Sequence, residues 1–375
     1  VVEFLSQILR ADVIKTASVS SLYFRIGDEV EKNYLKMTMP GRFFLQKFLR
    51  RALDGGATHA VLEITSEGVK QFRHKNVDWD VLVFTNLTPE HIESHGSFEN
   101  YKKAKEKVFA GLSKTYRKPN APKIIIINGD DPSAGDFLKY NADKKITYSK
   151  SDAPRETKLL GEFNLYNIAA AAKTTEALGV SKEVINLAVG KISGVPGRME
   201  FVQREPFFVV VDYAHTPDAL HKVYETLRPS VGKTLGVFGD STPSVEETGG
   251  RLICVLGSAG GGRDKWKRPE MGRIASEFCD EIILTNEDPY DENPNQILQD
   301  VESGVLNFKS AIRRTAFKIL DRREAIKKAL SDAKAGDVVI ITGKGAEPWM
   351  MGPKSQKIPW DDREIAREAL KTRGL

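Results

Sequence analysis

Cysteine is scarce in this sequence, and long apolar runs are absent. Only two of the 375 residues are cysteines, Cys254 and Cys279, a count that excludes a disulfide framework and a zinc site built from cysteines. No segment approaches the ~20 consecutive apolar residues that cross a bilayer, and no charged-then-apolar leader opens the chain. We therefore expect a cytoplasmic protein with no membrane partner.

An excess of one charge is lacking as well. The chain has 56 Lys and Arg against 51 Asp and Glu, a net charge of +5, whereas nucleic-acid binding needs a concentrated basic face with stacking aromatic residues. The densest basic run, at 102–118, has apolar residues at helical spacing, which is typical of a solvated amphipathic helix. No nucleic-acid partner is expected.

A phosphate-binding loop is also missing from the sequence. The motif G-x-x-x-x-G-K-[ST] holds phosphates with backbone N–H groups and a lysine. Gly232, Lys233 and Thr234 match its end, but Leu227 stands where its first glycine belongs. The glycine-rich segment at 257–265 lacks G-x-G-x-x-G spacing, so a dinucleotide site is not supported either.

Short apolar runs alternate with helical patterns along the chain. Helical spacing occurs at 41–54 and 322–334, and continuous apolar strands separated by helices predict an α/β fold with a parallel sheet covered on both faces. The predicted strands are HAVLEIT (59–65), DVLVFTN (80–86), KIIIIN (123–128), FFVVVDY (207–213), RLICVLG (251–257), EIILTN (281–286) and DVVIITG (337–343).

One segment is rich in Gly, Ser, Thr and Pro and predicts a linker or insertion at 229–250. It would separate a first domain at 1–228 from a smaller domain at 251–375. Its function is not evident from the sequence.

The segments that carry a family resemblance are MPGRFFLQ (39–46), THAVLEITSEGVKQFR (58–73), VFTNLTPEHIESHG (83–96), YKKAKEKVF (101–109), GEFNLYNIAAA (161–171), GVPGRME (194–200), VDYAHTPDAL (211–220), GGRDKWKRPEMG (261–272), GKGAE (343–347) and IPWDDREIAREAL (358–370). Taken in order, these ten segments resemble the Mur ligases, most closely the MurE type.

The resemblance implies a central ATPase domain with a mostly parallel sheet and a smaller, Rossmann-like α/β C-terminal domain. The family's N-terminal domain and phosphate loop would precede the helix at 2–10 and are not in this sequence. The implied activity is an ATP-dependent amide ligase that adds a diamino acid to UDP-N-acetylmuramoyl-L-Ala-D-Glu through an acyl phosphate, in peptidoglycan precursor synthesis. ATP and Mg²⁺ would be the cofactors, and the protein would be a monomer.

The resemblance also implies a catalytic and metal-binding group. Glu63 and His91 match residues that bind magnesium, and Lys105 matches a lysine that is carbamylated and supports a second magnesium. Arg198 completes the catalytic set. Without the resemblance, Glu63 is a polar strand end, His91 a loop histidine and Lys105 one of several solvated helix lysines.

Two further groups match substrate-contacting positions. For the nucleotide these are Asn167 near adenine, Arg198 on phosphate and Asp212 toward ribose. His215 either stands near ATP or the metals or caps the helix that begins at Pro217. For the UDP precursor they are Thr38, Ser66, Gln71 and Arg73. Glu67 departs from the family's usual histidine.

The amino-acid site is expected in the C-terminal domain. Arg263 matches a residue that binds the substrate carboxylate, and Gly343 and Glu347 lie in the matching loop, where Ala346 replaces the usual histidine. Diaminopimelate-adding members carry D-N-P-R, but the aligned residues here are Glu287, Asp288, Pro289 and Tyr290. Because an unpaired buried carboxylate is costly, the missing arginine predicts lysine or another basic diamino acid.

Two alternatives stay open. The missing phosphate loop is compatible with a catalytically incompetent fragment or a precursor-binding protein. A related folate or poly-amino-acid ligase is the other alternative, against which Gln71, Arg73 and the DDRE segment at 361–364 argue.

Overall fold

The chain forms two compact units, Val1–Ser193 and Gly194–Leu375. The computed structural model describes residues 1–228, 250–307 and 315–374. Within this described part, no helix is long and apolar enough to span a membrane.

The first unit combines helices with short strands. Its helices are α1 (Val2–Ala11), α2 (Arg42–Asp54), α3 (Ser66–Lys70), α4 (Ile92–His95), α5 (Phe98–Gly111), α6 (Ala134–Leu138), α7 (Glu162–Ala177) and α8 (Lys182–Lys191). Its strands are β1 (Thr16–Val19), β2 (Tyr23–Ile26), β3 (Glu29–Lys32), β4 (His59–Leu62), β5 (Val81–Phe84), β6 (Ile124–Asn128) and β7 (Lys144–Tyr148).

These strands form two sheets. One has the order β3-β2-β1-β4, in which β1 pairs parallel with β4 and antiparallel with β2. The other has the order β5-β6-β7 and is parallel throughout. Four consecutive isoleucines make β6 apolar on both faces, and all of β6 is buried.

The second unit is built on one larger sheet. Its six strands are β8 (Glu200–Gln203), β9 (Phe208–Asp212), β10 (Leu252–Leu256), β11 (Glu281–Leu284), β12 (Thr315–Lys318) and β13 (Val338–Thr342). A separate antiparallel pair is formed by β14 (Trp349–Met351) and β15 (Lys357–Pro359). Its helices are α9 (Pro217–Leu227), α10 (Lys267–Phe278), α11 (Pro294–Asn307), α12 (Arg322–Asp332) and α13 (Asp362–Thr372).

The sheet order of the second unit is β12-β11-β10-β13-β9-β8, with only β8 antiparallel to its neighbour. The chain runs outward from β10 to β12 and then returns to place β13 on the other side of β10. Such a reversal opens a crevice at the carboxyl ends of the strands, where α/β proteins bind ligands. Val209, Val255 and Ile341 lie in the core beneath it.

The α/β class and the strands predicted from the apolar runs are confirmed. Each of those runs contains a strand, and the helices expected at 41–54 and 322–334 are α2 and α12. The basic run at 102–118 is helical as far as Lys114, because α5 ends at Gly111 and a short 3-10 helix continues at Leu112–Lys114.

The predicted boundary between domains 1–228 and 251–375 is wrong. The first unit ends at Ser193, and β9 pairs in parallel with β13 within the second unit. The composition at 229–250 therefore did not mark the boundary. The segment itself lies, apart from Gly250, outside the described residues.

The two cysteines form a bond that the sequence did not reveal. Cys254 on β10 and Cys279 just before β11 are joined in a disulfide. Two cysteines are too few for a framework of several bridges. The apolar runs that contain them did not indicate that they would form a disulfide.

Candidate functional site

The predicted precursor-binding residues of the first unit lie together around α3. Ser66 is its first residue and is buried, and Thr65 caps the helix by accepting a hydrogen bond from Gly68 N. Arg73 Nη2 donates to Gln71 Oε1, while Nη1 donates to the carbonyl of Met39, the residue after Thr38, at 2.6 Å. One guanidinium thus joins the segment at 38–39 to the end of α3.

Tyr101 brings two of the three predicted metal-binding residues together. Its buried ring lies 6.1 Å from the His91 ring and 5.1 Å from Lys105 Nζ. Burial lowers the pKa of Lys105, although the carboxylates of Glu90 and Asp131 oppose this shift. Tyr101 and Lys105 are four residues apart on α5, so they share one helix face.

His91 adopts an unusual backbone conformation. It stands directly before α4 with φ +56°, in the left-handed region that residues with a Cβ seldom adopt. The loop that carries it is fixed by Asp131, which accepts hydrogen bonds from Leu87 N at 2.9 Å and Ser133 N at 2.8 Å. Strain of this kind persists only where neighbouring contacts determine the conformation, and it is frequent at functional sites.

Glu63 follows β4 and accepts a hydrogen bond from Ser21 N at 3.3 Å. Among the residues that the structure describes, no three His, Cys, Asp or Glu side chains form a metal-binding group. Mg²⁺ commonly uses one or two carboxylates together with substrate phosphates and water. The side chains of the described residues alone therefore do not define a complete metal site, and the set Glu63, His91 and Lys105 stays a prediction.

Glu67, which replaces the family's usual histidine, is held by α4. Ser94 Oγ donates to its carboxylate, and His95 Nε2 lies 3.3 Å from Glu67 Oε1. Burial raises the pKa of Glu67, but the hydrogen bond from Ser94 and the charges of Lys70 and His95 outweigh it, so the pKa is lowered. Glu67 therefore links α3 to the helix that follows His91.

In the second unit, Asp212 organises the end of β9. Its carboxylate accepts hydrogen bonds from Met199 N at 2.7 Å and Ala214 N at 2.6 Å. Burial raises the pKa of this carboxyl, against the opposing effects of Arg198 and the two N–H groups. Asp212 thus fixes the turn that carries Arg198.

His215 and Asn167 are the remaining predicted nucleotide residues. His215 Nδ1 lies 2.8 Å from the carbonyl of Tyr213. The cap of α9 is Thr216, whose Oγ1 accepts from Ala219 N, so the alternative that His215 caps this helix is wrong. Asn167 belongs to α7 of the first unit and is partly buried.

Lys344 connects two predicted amino-acid-binding residues. Its fully buried Nζ donates to Asp288 Oδ1 at 2.8 Å and to Glu347 Oε2 at 2.6 Å. Burial lowers the pKa of this lysine, but the two carboxylates outweigh burial and raise it. Lys344 is therefore a cation that holds both acids in place.

Glu287 has an oxygen without a partner. The residue is 4% exposed, and its Oε2 is buried with no hydrogen bond within the described part of the chain. Gly343 stands beside it with φ +110°, and a Cβ there would lie 2.6 Å from Oε2. A side chain at 343 would therefore collide with this carboxylate, and glycine avoids the collision.

Arg263 faces Tyr290, which occupies the position of the D-N-P-R arginine. Burial lowers the pKa of Arg263, but interactions with Tyr290, Tyr213 and Asp288 raise it overall. Tyr290 has φ +51°, and its ring packs so closely on Gly261 that a Cβ there would lie 2.5 Å from it. The strand ends of one sheet thus bring together the predicted amino-acid-binding residues Arg263, Glu287, Asp288, Tyr290, Gly343 and Glu347.

Several residues of these sites were missed from the sequence. Tyr101 could have been found, because it precedes Lys105 by one helical turn. Tyr213 carried a weaker signal, since it is simply the last residue of a predicted strand. Asp131 acts through backbone groups of a distant loop, which no local pattern reveals.

The fold and the charges at the strand ends are typical of an α/β enzyme that handles charged small molecules. Sequence profiles agree: the Mur ligase middle domain matches residues 1–156, and the profile described as "Mur ligase, glutamate ligase domain" matches 197–246 and 241–345. The UDP-N-acetylmuramoyl-L-alanyl-D-glutamate--2,6-diaminopimelate ligase of Geobacillus kaustophilus is 35% identical over 398 residues, covering 99% of this chain and 76% of that protein. The chain belongs to the Mur ligase family and is an ATP-dependent ligase.

Solved structures agree with this assignment. A structure of UDP-N-acetylmuramoyl-L-alanyl-D-glutamate--2,6-diaminopimelate ligase is similar with TM-score 0.59 and 29% identity, covering 100% of this chain and 76% of that one. E. coli FolC in complex with ADP has TM-score 0.64 and 18% identity, with coverage of 99% and 86%, a likeness of fold alone. The sequence-based preference for lysine is not supported, because the relatives are named for 2,6-diaminopimelate.

Proposed function

We propose that this chain joins 2,6-diaminopimelate to UDP-N-acetylmuramoyl-L-alanyl-D-glutamate, with ATP converted to ADP and phosphate, in peptidoglycan precursor synthesis. The names of its relatives support this choice of substrates. A carboxylate oxygen of the dipeptide attacks the γ-phosphorus of ATP, and ADP leaves. The amine of the incoming amino acid then attacks the acyl carbon, and phosphate leaves as the amide forms and the amine loses a proton.

The observation that carries the proposal is the buried, unpartnered oxygen of Glu287 beside Gly343. Burying a carboxylate without a partner costs free energy, which an ammonium group would recover on binding. Arg263 supplies a planar cation suited to a carboxylate nearby. An acceptor for an ammonium group and a donor to a carboxylate are what an amino acid requires, and a diamino acid offers a further ammonium group to Glu347.

The residues of the other predicted groups take the remaining roles. We assign Arg198 to a phosphate, Asp212 and His215 to the nucleotide, and Asn167 to adenine. Thr38, Ser66, Gln71 and Arg73 would contact the precursor, and their joint position around α3 supports a single binding surface.

Mg²⁺, which the family uses, would neutralise phosphate charge when bound, and we assign Glu63, His91 and Lys105 to hold it. Lys105 would do so as a carbamate, formed when its amine adds to carbon dioxide and releases a proton. The common contact of His91 and Lys105 with Tyr101 supports their acting together.

ADP release by the purified chain tests the proposal. The assay contains ATP, Mg²⁺, UDP-N-acetylmuramoyl-L-Ala-D-Glu and either 2,6-diaminopimelate, lysine or ornithine, with mass spectrometry of the nucleotide product. We expect ADP release that requires both the precursor and diaminopimelate. ADP release that occurs with lysine but not with diaminopimelate, in the presence of the precursor, would contradict the choice of amino acid. The ligase activity itself would still be supported.

Binding measurements distinguish the alternatives. Calorimetry should detect the UDP-linked dipeptide, whereas a folate or poly-amino-acid ligase would not bind it. A chain that binds the precursor but releases no ADP under any condition would be a precursor-binding protein, contrary to the proposal. We also propose that the protein acts in the cytoplasm and that it is a monomer. Light scattering checks the monomeric state.

A further inference from the structure

Tyr213 lies between residues assigned to two different substrates. It follows Asp212 at the end of β9, and its ring centroid is 4.0 Å from the guanidinium carbon of Arg198. Its hydroxyl donates to Glu347 Oε1 at 3.1 Å. The same side chain therefore touches a phosphate-binding candidate with its ring and an amino-acid-binding candidate with its hydroxyl.

The chemistry of each contact is well matched. A guanidinium over a tyrosine ring is attracted to the negative face of the π-system. Burial and the Glu347 carboxylate both raise the pKa of Tyr213, so the phenol keeps its proton and acts as a donor. Glu347 receives its second donor from Lys344 on the other oxygen, and its carboxylate is thereby held in one orientation.

Two glycines hold the loops around Tyr213 at close range. A Cβ on Gly197, which precedes Arg198, would lie 2.1 Å from Ala346 N, and one on Gly345 would lie 2.7 Å from the carbonyl of Gly197. The same Cβ on Gly345 would lie 3.2 Å from Tyr213 Cβ. The turn before Arg198 and the loop before Glu347 therefore contact each other directly, and Tyr213 spans their side chains.

We propose that Tyr213 is a positioning residue that orients Arg198 and Glu347 for the ligase reaction. The ring orients the Arg198 guanidinium, which binds a phosphate. The hydroxyl orients the Glu347 carboxylate, which binds the ammonium group of the incoming amino acid. This inference rests on the proposed function. It adds a residue whose ring serves one substrate and whose hydroxyl serves the other. The effects on the two substrates should therefore be separable by substitution of Tyr213.

Tyr213→Phe and Tyr213→Leu separate the two contacts. Tyr213→Phe keeps the ring and should raise the KM for the diamino acid about tenfold, because a hydrogen bond to a charged group is lost, while the KM for ATP changes less than about twofold. Tyr213→Leu also removes the ring and should raise both KM values. Tyr140→Phe, a partly buried tyrosine of the first unit outside the predicted sites, is the control and should change neither.

A double-mutant cycle tests whether the hydroxyl acts through Glu347. In a Glu347→Gln background, Tyr213→Phe should have less than half of its effect on the diamino-acid KM. Full additivity, or an equal loss for all substrates accompanied by a lowered melting temperature, would overturn the positioning role. Calorimetric binding of the diamino acid gives the same comparison without turnover.

The outcomes separate this inference from the proposed function. Absence of ADP release by the unsubstituted chain would count against the proposed function. Turnover or diamino-acid binding that Tyr213→Phe leaves unchanged would refute the role of Tyr213 alone.

Discussion

Arg322 and Asp362 form an ion pair from which water is excluded. Both side chains are 0% exposed, and the guanidinium donates from Nε to Oδ1 at 2.9 Å and from Nη2 to Oδ2 at 2.7 Å. Arg322 also donates to the carbonyls of Thr342 and Asn286, the residues that precede Gly343 and Glu287. The pair thus ties two strand ends of the candidate amino-acid site to α12 and α13.

Asp362→Ala should destabilise the second unit strongly. The substitution leaves a buried guanidinium without its carboxylate, a change that costs about 3–5 kcal/mol. Urea unfolding followed by circular dichroism measures the loss. Glu368→Ala is the control, because its pair with Arg323 is exposed and should contribute less than about 1 kcal/mol. Similar losses for the two variants would contradict the inferred importance of the buried pair.

Gly343→Ala should impair both stability and diamino-acid binding. At φ +110° an alanine is strained by about 1–3 kcal/mol, and its Cβ would lie 2.6 Å from Glu287 Oε2. Gly179→Ala, at φ +98° with nothing within 4 Å of the added Cβ, should show the backbone cost alone. Calorimetry should therefore find weakened diamino-acid binding in the first variant only. Normal affinity in Gly343→Ala would mean that Glu287 does not face the ligand.

Continuous apolar runs could be predicted as strands from the sequence, but strands with polar or charged residues could not. Runs such as 123–128 are apolar on both faces, which strands inside a parallel sheet require. In contrast, β3 and β12 are largely exposed and carry charged residues, as edge strands do. The domain boundary failed for another reason: the pairing of β9 with β13 joins segments far apart in sequence, which local composition cannot report.

In the candidate sites too, contacts between residues close in sequence could be predicted, whereas contacts between distant residues could not. The contact of Tyr101 with Lys105 follows from one helical turn, so the sequence contains it. The hydrogen bond between Tyr213 and Glu347 spans 134 residues and depends on how two loops meet. The resemblance to a family supplied the positions of single residues, whereas the structure supplied the side chains that hold them together.

Lys105→Ala should nearly abolish ADP release, with a loss of at least about 100-fold. The role proposed for Lys105 requires a carboxylate at its end, so formate or acetate added to the variant should restore part of the rate. Lys103→Ala on the same helix is the control, because Lys103 is exposed and pairs only loosely with Glu99 at 3.9 Å. A fourfold loss without rescue would be too small for the proposed role.

The second unit should lose stability in acid through the cluster around Arg268. This buried guanidinium donates to Glu292 at 3.0 Å and to Asp300 at 2.9 Å. Burial raises the pKa of Glu292, but the hydrogen bond and charge of Arg268 outweigh it and lower the pKa. The pKa of Asp300 is lowered in the same way, with a further hydrogen bond from Gln296.

A lowered pKa in the folded state means that the unfolded chain binds more protons, so folding is favoured as pH rises. The stabilisation is complete above the ordinary carboxyl pKa of about 4 and is lost as pH falls through the lower folded values. Urea midpoints measured from pH 7 to pH 3 should therefore fall at the acid end. Glu292→Gln should unfold more easily at pH 7 and show a shallower decline, because one proton-binding group is gone. Parallel curves for the two proteins would show that Glu292 makes no such contribution.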